Sequence, residues 1–222
     1  MHIGSTIRRL MPYAMERKAS AIYRRFFVNL EKVAEMLAER IPPNALVLDI
    51  GGGDGELLNC LFALRPDLNV TMVDIASSVG KFVEPQHMDK VTFCPGTPIQ
   101  THLENHALTY DAAIVSDVMH HIPKDIRREF LKSIHGTLKL NGILLIKDVE
   151  PGSISSFLNY CADTYISGDK NVAHISRQDL ISLVEKSLPS HQVEEIDLYR
   201  KNKPNYIINF SFEQKLNAAA AS

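Results

Sequence analysis

The chain has only three cysteines and no long apolar run, and each lack argues against a class of protein. Cys60, Cys94 and Cys161 are widely spaced and odd in number, so neither a disulfide framework nor a zinc cluster is indicated. A reducing compartment is expected. No stretch reaches the ~18 apolar residues of a membrane span, and Met1 to Arg9 lack the apolar core of a secretory leader. A cytoplasmic protein without a membrane span is therefore expected. Charge of one sign is lacking too: 24 Lys and Arg against 26 Asp and Glu leave −2, which argues against general affinity for nucleic acid. Basic residues gather only within 1–28, where Arg8, Arg9, Arg17, Lys18, Arg24 and Arg25 face the single acid Glu16. Such a stretch either attracts an anionic partner or forms a solvated helix face. What is present, 222 residues of which 45% are hydrophobic, suits one α/β domain with some decoration.

Apolar spacing sets the expected elements. Ile22, Phe26, Leu30, Val33 and Leu37 recur at helical intervals, predicting an amphipathic helix over about 16–40 that Pro42 and Pro43 stop. Five short apolar runs read as strands, at about 45–50, 70–74, 91–94, 110–116 and 143–148, and helices are predicted at about 56–64 and 125–139. Asn141-Gly142 reads as a turn before the fifth strand. Continuously apolar strands alternating with helices imply a parallel sheet covered on both faces. The end of the chain differs: Val193–Tyr199 and Tyr206–Phe212 leave no room for a helix between them, so they must pair antiparallel. The tail from Asn217 is low in complexity.

Residues 46–58 are the most informative. The run Leu46 to Ile50 contains Asp49 and meets Gly51, Gly52 and Gly53, and an apolar stretch resumes after Gly55. This is a buried strand turning tightly into a helix, with glycines that let a ligand lie against the backbone. Compared with the dinucleotide fingerprint Gly-x-Gly-x-x-Gly, the last spacing is one residue shorter and an acid stands two positions before the first glycine. The acid favours a ligand bearing an ammonium group over a pyrophosphate.

The pattern Asp49-x-Gly51-x-Gly53-x-Gly55 resembles motif I of the class I S-adenosylmethionine (SAM) methyltransferases. The resemblance extends over roughly residues 30–212 and implies an α/β fold: a doubly wound, seven-stranded, mostly parallel sheet with a C-terminal antiparallel hairpin. It also implies SAM as cofactor and S-adenosylhomocysteine as product. Residues 41–214 would form the methyltransferase domain, 1–40 an N-terminal helical lid, 151–180 a substrate-side insert and 215–222 a tail. Ligands bind beyond the carboxyl ends of parallel strands, so the cofactor residues should follow each strand in turn. Asp49, Gly51, Gly52 and Gly53 come first. Asp74 stands about 20 residues further on, where a carboxylate can accept both ribose hydroxyls, and Ile75 can cover the adenine. Gly96-Thr97 replaces the Gly-Asp that the family often has at the adenine amino group; Ser116 and Asp117 border the methionine moiety.

The acceptor half of the resemblance rests on Val115 to Pro123. His121-Ile122-Pro123 is similar to the loop of ubiquinone-type methyltransferases, and His121 is counted with the cofactor residues. Aligned without gaps on plant phenolic O-methyltransferases, His120 falls on the general base and Asp148 on the acid that assists it, although the aromatic residue typical of that loop is missing. Histidine, with an ordinary pKa of ~6.5, suits proton removal at neutral pH. Ser116-Asp117-Val118-Met119 departs from the Asn/Asp-Pro-Pro-Tyr/Phe of amino-group DNA methylases. Cys94-Pro95 follows the wrong strand for a cytosine nucleophile, and a lone Asp148 does not make an octahedral magnesium site. Aromatic and methionine side chains in the lid (Met11, Tyr13, Tyr23, Phe26) and the insert (Phe157, Tyr160, Tyr165, His174) either receive an apolar substrate or pack the lid.

The expected function is methyl transfer from SAM to a small organic acceptor in secondary metabolism, with an aromatic or polyketide-like hydroxyl favoured. An RNA or protein methyltransferase and a non-catalytic SAM-binding protein stay open as alternatives, as do monomer and homodimer.

Overall fold

The structure is a computed structural model, in which residues 29–152, 173–189, 191–196 and 205–212 are described. Helix α1 (Leu30–Ala38) begins at Asn29, whose extended backbone (φ −81°, ψ 92°) and side chain, accepting from the Lys32 amide at 2.9 Å, form an N-cap. The helix expected over 16–40 therefore starts at Leu30, because a capping asparagine in extended backbone interrupts the periodicity; residues 16–28 lie outside the described residues. Strand β1 (Leu46–Ile50) follows, then α2 (Glu56–Leu64), β2 (Asn69–Val73), β3 (Val91–Cys94), α3 (Ile99–Asn105) and β4 (Tyr110–Ser116). After these come α4 (Arg127–Thr137), β5 (Leu138–Val149), α5 (Arg177–Ser187) and the hairpin strands β6 (His191–Ile196) and β7 (Asn205–Phe212).

The sheet order is β3-β2-β1-β4-β5-β7-β6. The first five strands pair parallel, and β7 runs antiparallel to both β5 and β6. The register is level at the carboxyl ends: Ile50 pairs with Val73 and Val115, Val73 with Cys94, and Ser116 with Lys147. Every loop leaving a parallel strand thus opens at one edge, and the order reverses between β1 and β4, where such sheets hold ligands.

Side chains alternate between two cores. Leu48, Ile50, Val115, Leu144 and Ile146 pack against α4 and α5. Val47, Ile114, Leu145 and Ile207 pack against α1 and α2. Strand β5 is longer than the run expected at 143–148: Leu138 pairs with Tyr110 and Ile143 with Ala112, so β5 spends five residues where β4 spends two. Asn141-Gly142 is absorbed into that irregularity and is no turn, with Lys139 Nζ holding Asp111 Oδ1 at 2.7 Å. No described helix is long and apolar enough to cross a membrane.

Helix α3 was not expected from periodicity; it buttresses the start of β4 through His102, whose Nε2 lies 2.7 Å from the Tyr110 hydroxyl and whose ring stacks on His106. Burial, then the neighbouring His106, lowers the His102 pKa from 6.5 to about 4. The unfolded chain therefore takes up this proton first, and the stability supplied by neutral His102 is complete above about pH 6.5 and lost as pH falls towards 4. In chemical denaturation across that window the wild type should lose stability relative to a His102→Phe variant; a constant difference would contradict the assignment.

Candidate functional site

The loop after β1 supplies the floor of the site. Gly51 and Gly53 have positive φ (68° and 56°), and the Gly51 amide donates to Val73 O at 2.8 Å. At Gly52 the constraint is space: a Cβ there would lie 2.2 Å from Asp49 Oδ2. Asp49 itself is buried at 2% exposure, and among the described residues its carboxylate accepts no hydrogen bond. Burial, and secondarily the charge of Asp74, pushes its pKa up from 3.8 to about 7. An acid so placed is costly to ionise alone and is poised for a cationic ligand.

Asp74 follows β2 and is half-buried. Its Oδ2 accepts from the Gly53 amide at 3.3 Å and its Oδ1 from the Ala76 amide at 2.8 Å, which joins the second loop to the glycine loop. Ile75 beside it is 80% exposed, an apolar surface presented to solvent at the strand ends. Gly96 and Thr97 turn back onto the same loop, with their amides donating to Ala76 O and Asp74 O at 2.8 Å each; the Thr97 hydroxyl donates to Pro95 O. Cys94 closes β3, partly buried, and burial raises its thiol pKa, so the nucleophile reading has no support there.

Ser116 ends β4 and Asp117 follows it. Asp117 adopts positive φ (58°), its amide donates to Lys147 O at 2.9 Å, and its carboxylate accepts from Lys147 Nζ at 2.5 and 2.6 Å. The Lys147 side chain is fully buried. It is a candidate site residue that the sequence reading missed, and its signal was a lysine that follows the apolar run Ile143–Ile146 directly and precedes Asp148. The pair pins the loop after β4 to β5, and Val118 from the same loop lies against Gly51.

Alternation along β5 sends Asp148 to the opposite face from Lys147. There it meets His120, which sits on a single 3-10 turn (Met119–His121). His120 Nδ1 lies 2.7 Å from Asp148 Oδ1; the His120 and Val149 amides donate to Asp148 Oδ2 and Oδ1 at 3.2 and 2.7 Å. His120 is 3% exposed and Asp148 fully buried. Burial alone would raise the Asp148 pKa, but the hydrogen bond and charge of His120, the Val149 amide and Lys147 hold it below the ordinary value. An ionised Asp148 can only accept, so His120 Nδ1 is the donor. His121 is half-buried, with its ring 4.2 Å from that of His120. His174 also reaches the cluster, 5.4 Å ring to ring, because the Ala173 amide donates to His120 O at 2.8 Å. The sequence marked His174 only as an aromatic residue of the insert and gave no sign that it meets His120, since the two are 54 positions apart.

Residues 48–144 match the family model described as a methyltransferase domain. The curated carboxy-S-adenosyl-L-methionine synthase of Campylobacter hominis is 26% identical over 186 residues, covering 82% of this chain and 70% of that protein. A SAM-dependent methyltransferase from Archaeoglobus fulgidus superposes with a TM-score of 0.64 at 18% identity, covering 86% of this chain and 99% of that one. The mitomycin 7-O-methyltransferase MmcR gives a TM-score of 0.63 at 21% identity, covering 90% of this chain and 58% of that one. The match to a methyltransferase domain thus spans β1 to β5 and includes the glycine loop, and the solved structures share the fold, a seven-stranded, mostly parallel sheet. The domain match is of a general kind and designates no acceptor.

The raised pKa of Asp49 gives two linked expectations. Its folded value lies above its unfolded one, so the protonated form favours folding, and stability from this group falls as pH rises from about 4 to 7. Asp49→Asn should therefore stabilise the unliganded protein at about pH 8 by roughly 4 kcal/mol, a gain that shrinks steadily as pH falls and is nearly gone below about pH 4. Cationic SAM favours the carboxylate, so calorimetry should show affinity rising with pH to about 7 in the wild type and weak, pH-independent binding in the variant. Tight binding by the variant would remove Asp49 from the site.

Proposed function

We propose that the protein transfers the methyl group of SAM to a hydroxyl oxygen of a small organic acceptor, with His120 as general base and Asp148 as the residue that orients it. The observation carrying this reading is the buried 2.7 Å contact between His120 Nδ1 and Asp148 Oδ1 at the carboxyl ends of β4 and β5. SAM is already an activated donor, so the protein's part is alignment and proton removal. The acceptor oxygen attacks the methyl carbon in line, the carbon–sulfur bond breaks with its electrons going to sulfur, and S-adenosylhomocysteine leaves. His120 takes the hydroxyl proton through Nε2 while Asp148 holds Nδ1–H and steadies the imidazolium.

In the same reading Asp49 and Gly51 to Gly53 receive the methionine end of SAM and Asp74 the ribose hydroxyls. Ile75, Gly96 and Thr97 border the adenine, and Ser116, Asp117 and His121 close the loop side. Lys147 holds Asp117 in place. Acceptor choice falls to those parts of the N-terminal stretch 1–40 and the insert 151–180 that lie outside this core, and α1 is not among them, since its Val33, Ala34 and Leu37 are core residues. The similarity to a carboxy-SAM synthase favours one further reading, in which the chain modifies SAM itself.

Mass spectrometry of reactions with SAM and a panel of phenols, amines and carboxylic acids separates the two. Release of S-adenosylhomocysteine with a methylated phenol supports methyl transfer, whereas a SAM that has gained a carboxyl group lost by one of the acids supports the other reading. His120→Ala should lower turnover by roughly 100- to 10,000-fold with SAM affinity retained, and Asp148→Asn should lower it less. Undiminished turnover in His120→Ala would remove the base.

A further inference from the structure

Three side chains with metal-binding atoms converge on the α4/α5 face: His120 from the turn after β4, Asp148 from the end of β5 and His174 from the approach to α5. One donor atom from each lies within 4.8 Å of the other two. Around a tetrahedral zinc ion with bonds of ~2.0–2.1 Å, ligand atoms stand about 3.4 Å apart, so the present spacing must close by at most about 1.4 Å to hold one. The backbone is already set for this. The Ala173 amide on His120 O ties the two histidine-bearing segments together, and Tyr206 Oη donates to Ile175 O at 2.9 Å just beyond. Two main-chain amides orient the Asp148 carboxylate, as outer-shell donors do at metal centres.

The donor set also selects the ion. Two imidazoles and one carboxylate suit a borderline transition metal and not magnesium or calcium, which require oxygen ligands. Three protein ligands leave one position open, and one carboxylate leaves a divalent ion with a single net positive charge in a largely buried site.

We propose that His120, Asp148 and His174 form a site for one divalent transition-metal ion of the zinc class, and that loading it arrests methyl transfer. Coordination replaces the His120–Asp148 hydrogen bond, so the imidazole that serves as base is held by the ion. Proton relay and metal centre are two uses of the same side chains. The arrest rests on the reading of His120 as base; the binding does not.

The full-length protein, stripped with a chelator, would be titrated with Zn²⁺ by calorimetry and with Co²⁺ by visible absorption, with SAM affinity measured in parallel. One ion per chain is expected, with Co²⁺ bands of a low-coordinate nitrogen–oxygen site. His174→Ala and Asp148→Asn should each weaken the ion by ~100-fold or more while leaving SAM binding intact. Where methyl transfer is measurable, Zn²⁺ should inhibit the wild type and spare His174→Ala. Absence of stoichiometric binding, or affinity unchanged in both variants, overturns the site. Binding without inhibition overturns only the arrest, and binding by a protein that transfers no methyl group leaves the site standing while removing the base.

Discussion

Parallel pairing of β1 with β2 on one side and β4 on the other is the constraint from which the site follows. It levels Ile50, Val73 and Val115 at one edge, so three separate loops emerge side by side at the point where strand order reverses. The hydrogen bonds from Gly53 to Asp74 and from Thr97 back to Asp74 O form because those loops start at the same height. A one-residue slip of β2 would also turn Met72 and Val73 to the wrong faces, emptying both cores at once.

The two faces of the sheet treat buried charge in opposite ways. On the α1/α2 side Asp49 is desolvated without a described hydrogen-bond partner, and its carboxyl is driven upward, a cost that a cationic ligand would relieve. On the α4/α5 side Asp148 is equally desolvated but is met by His120 and two amides, and it remains a carboxylate. Lys147 stands between them in sequence and points away from Asp148 to hold Asp117. Strand alternation therefore separates the Lys147–Asp117 pair from the Asp148–His120 pair, although Lys147 and Asp148 are adjacent in the chain.

The fold was legible because its signals were local. Apolar runs marked β1 to β4, closed by glycine or proline after β1 and β3 and by an acid after β2 and β4, and two strand-like runs with no helix between them required the terminal hairpin. Element limits were less legible: Asn29 set the start of α1 through a cap that periodicity cannot see, and Asn141-Gly142 looked like a turn until pairing with β4 drew it into β5. Helix α3 is seven residues long, too short for its periodicity to stand out.

At the site, the glycine spacing and the acids at strand ends were readable from residue types alone, since tight turns and ligand chemistry restrict which residues serve there. Sequence by itself determined the order of elements, the glycine loop and the position of Asp49, Asp74, His120 and Asp148 at strand ends. Only the tertiary structure decided that Asp148 meets His120 across 28 residues, that Lys147 pairs with Asp117, and that His174 joins them. Those contacts depend on register and on which face a side chain takes, and both are set by pairing between strands far apart in the chain.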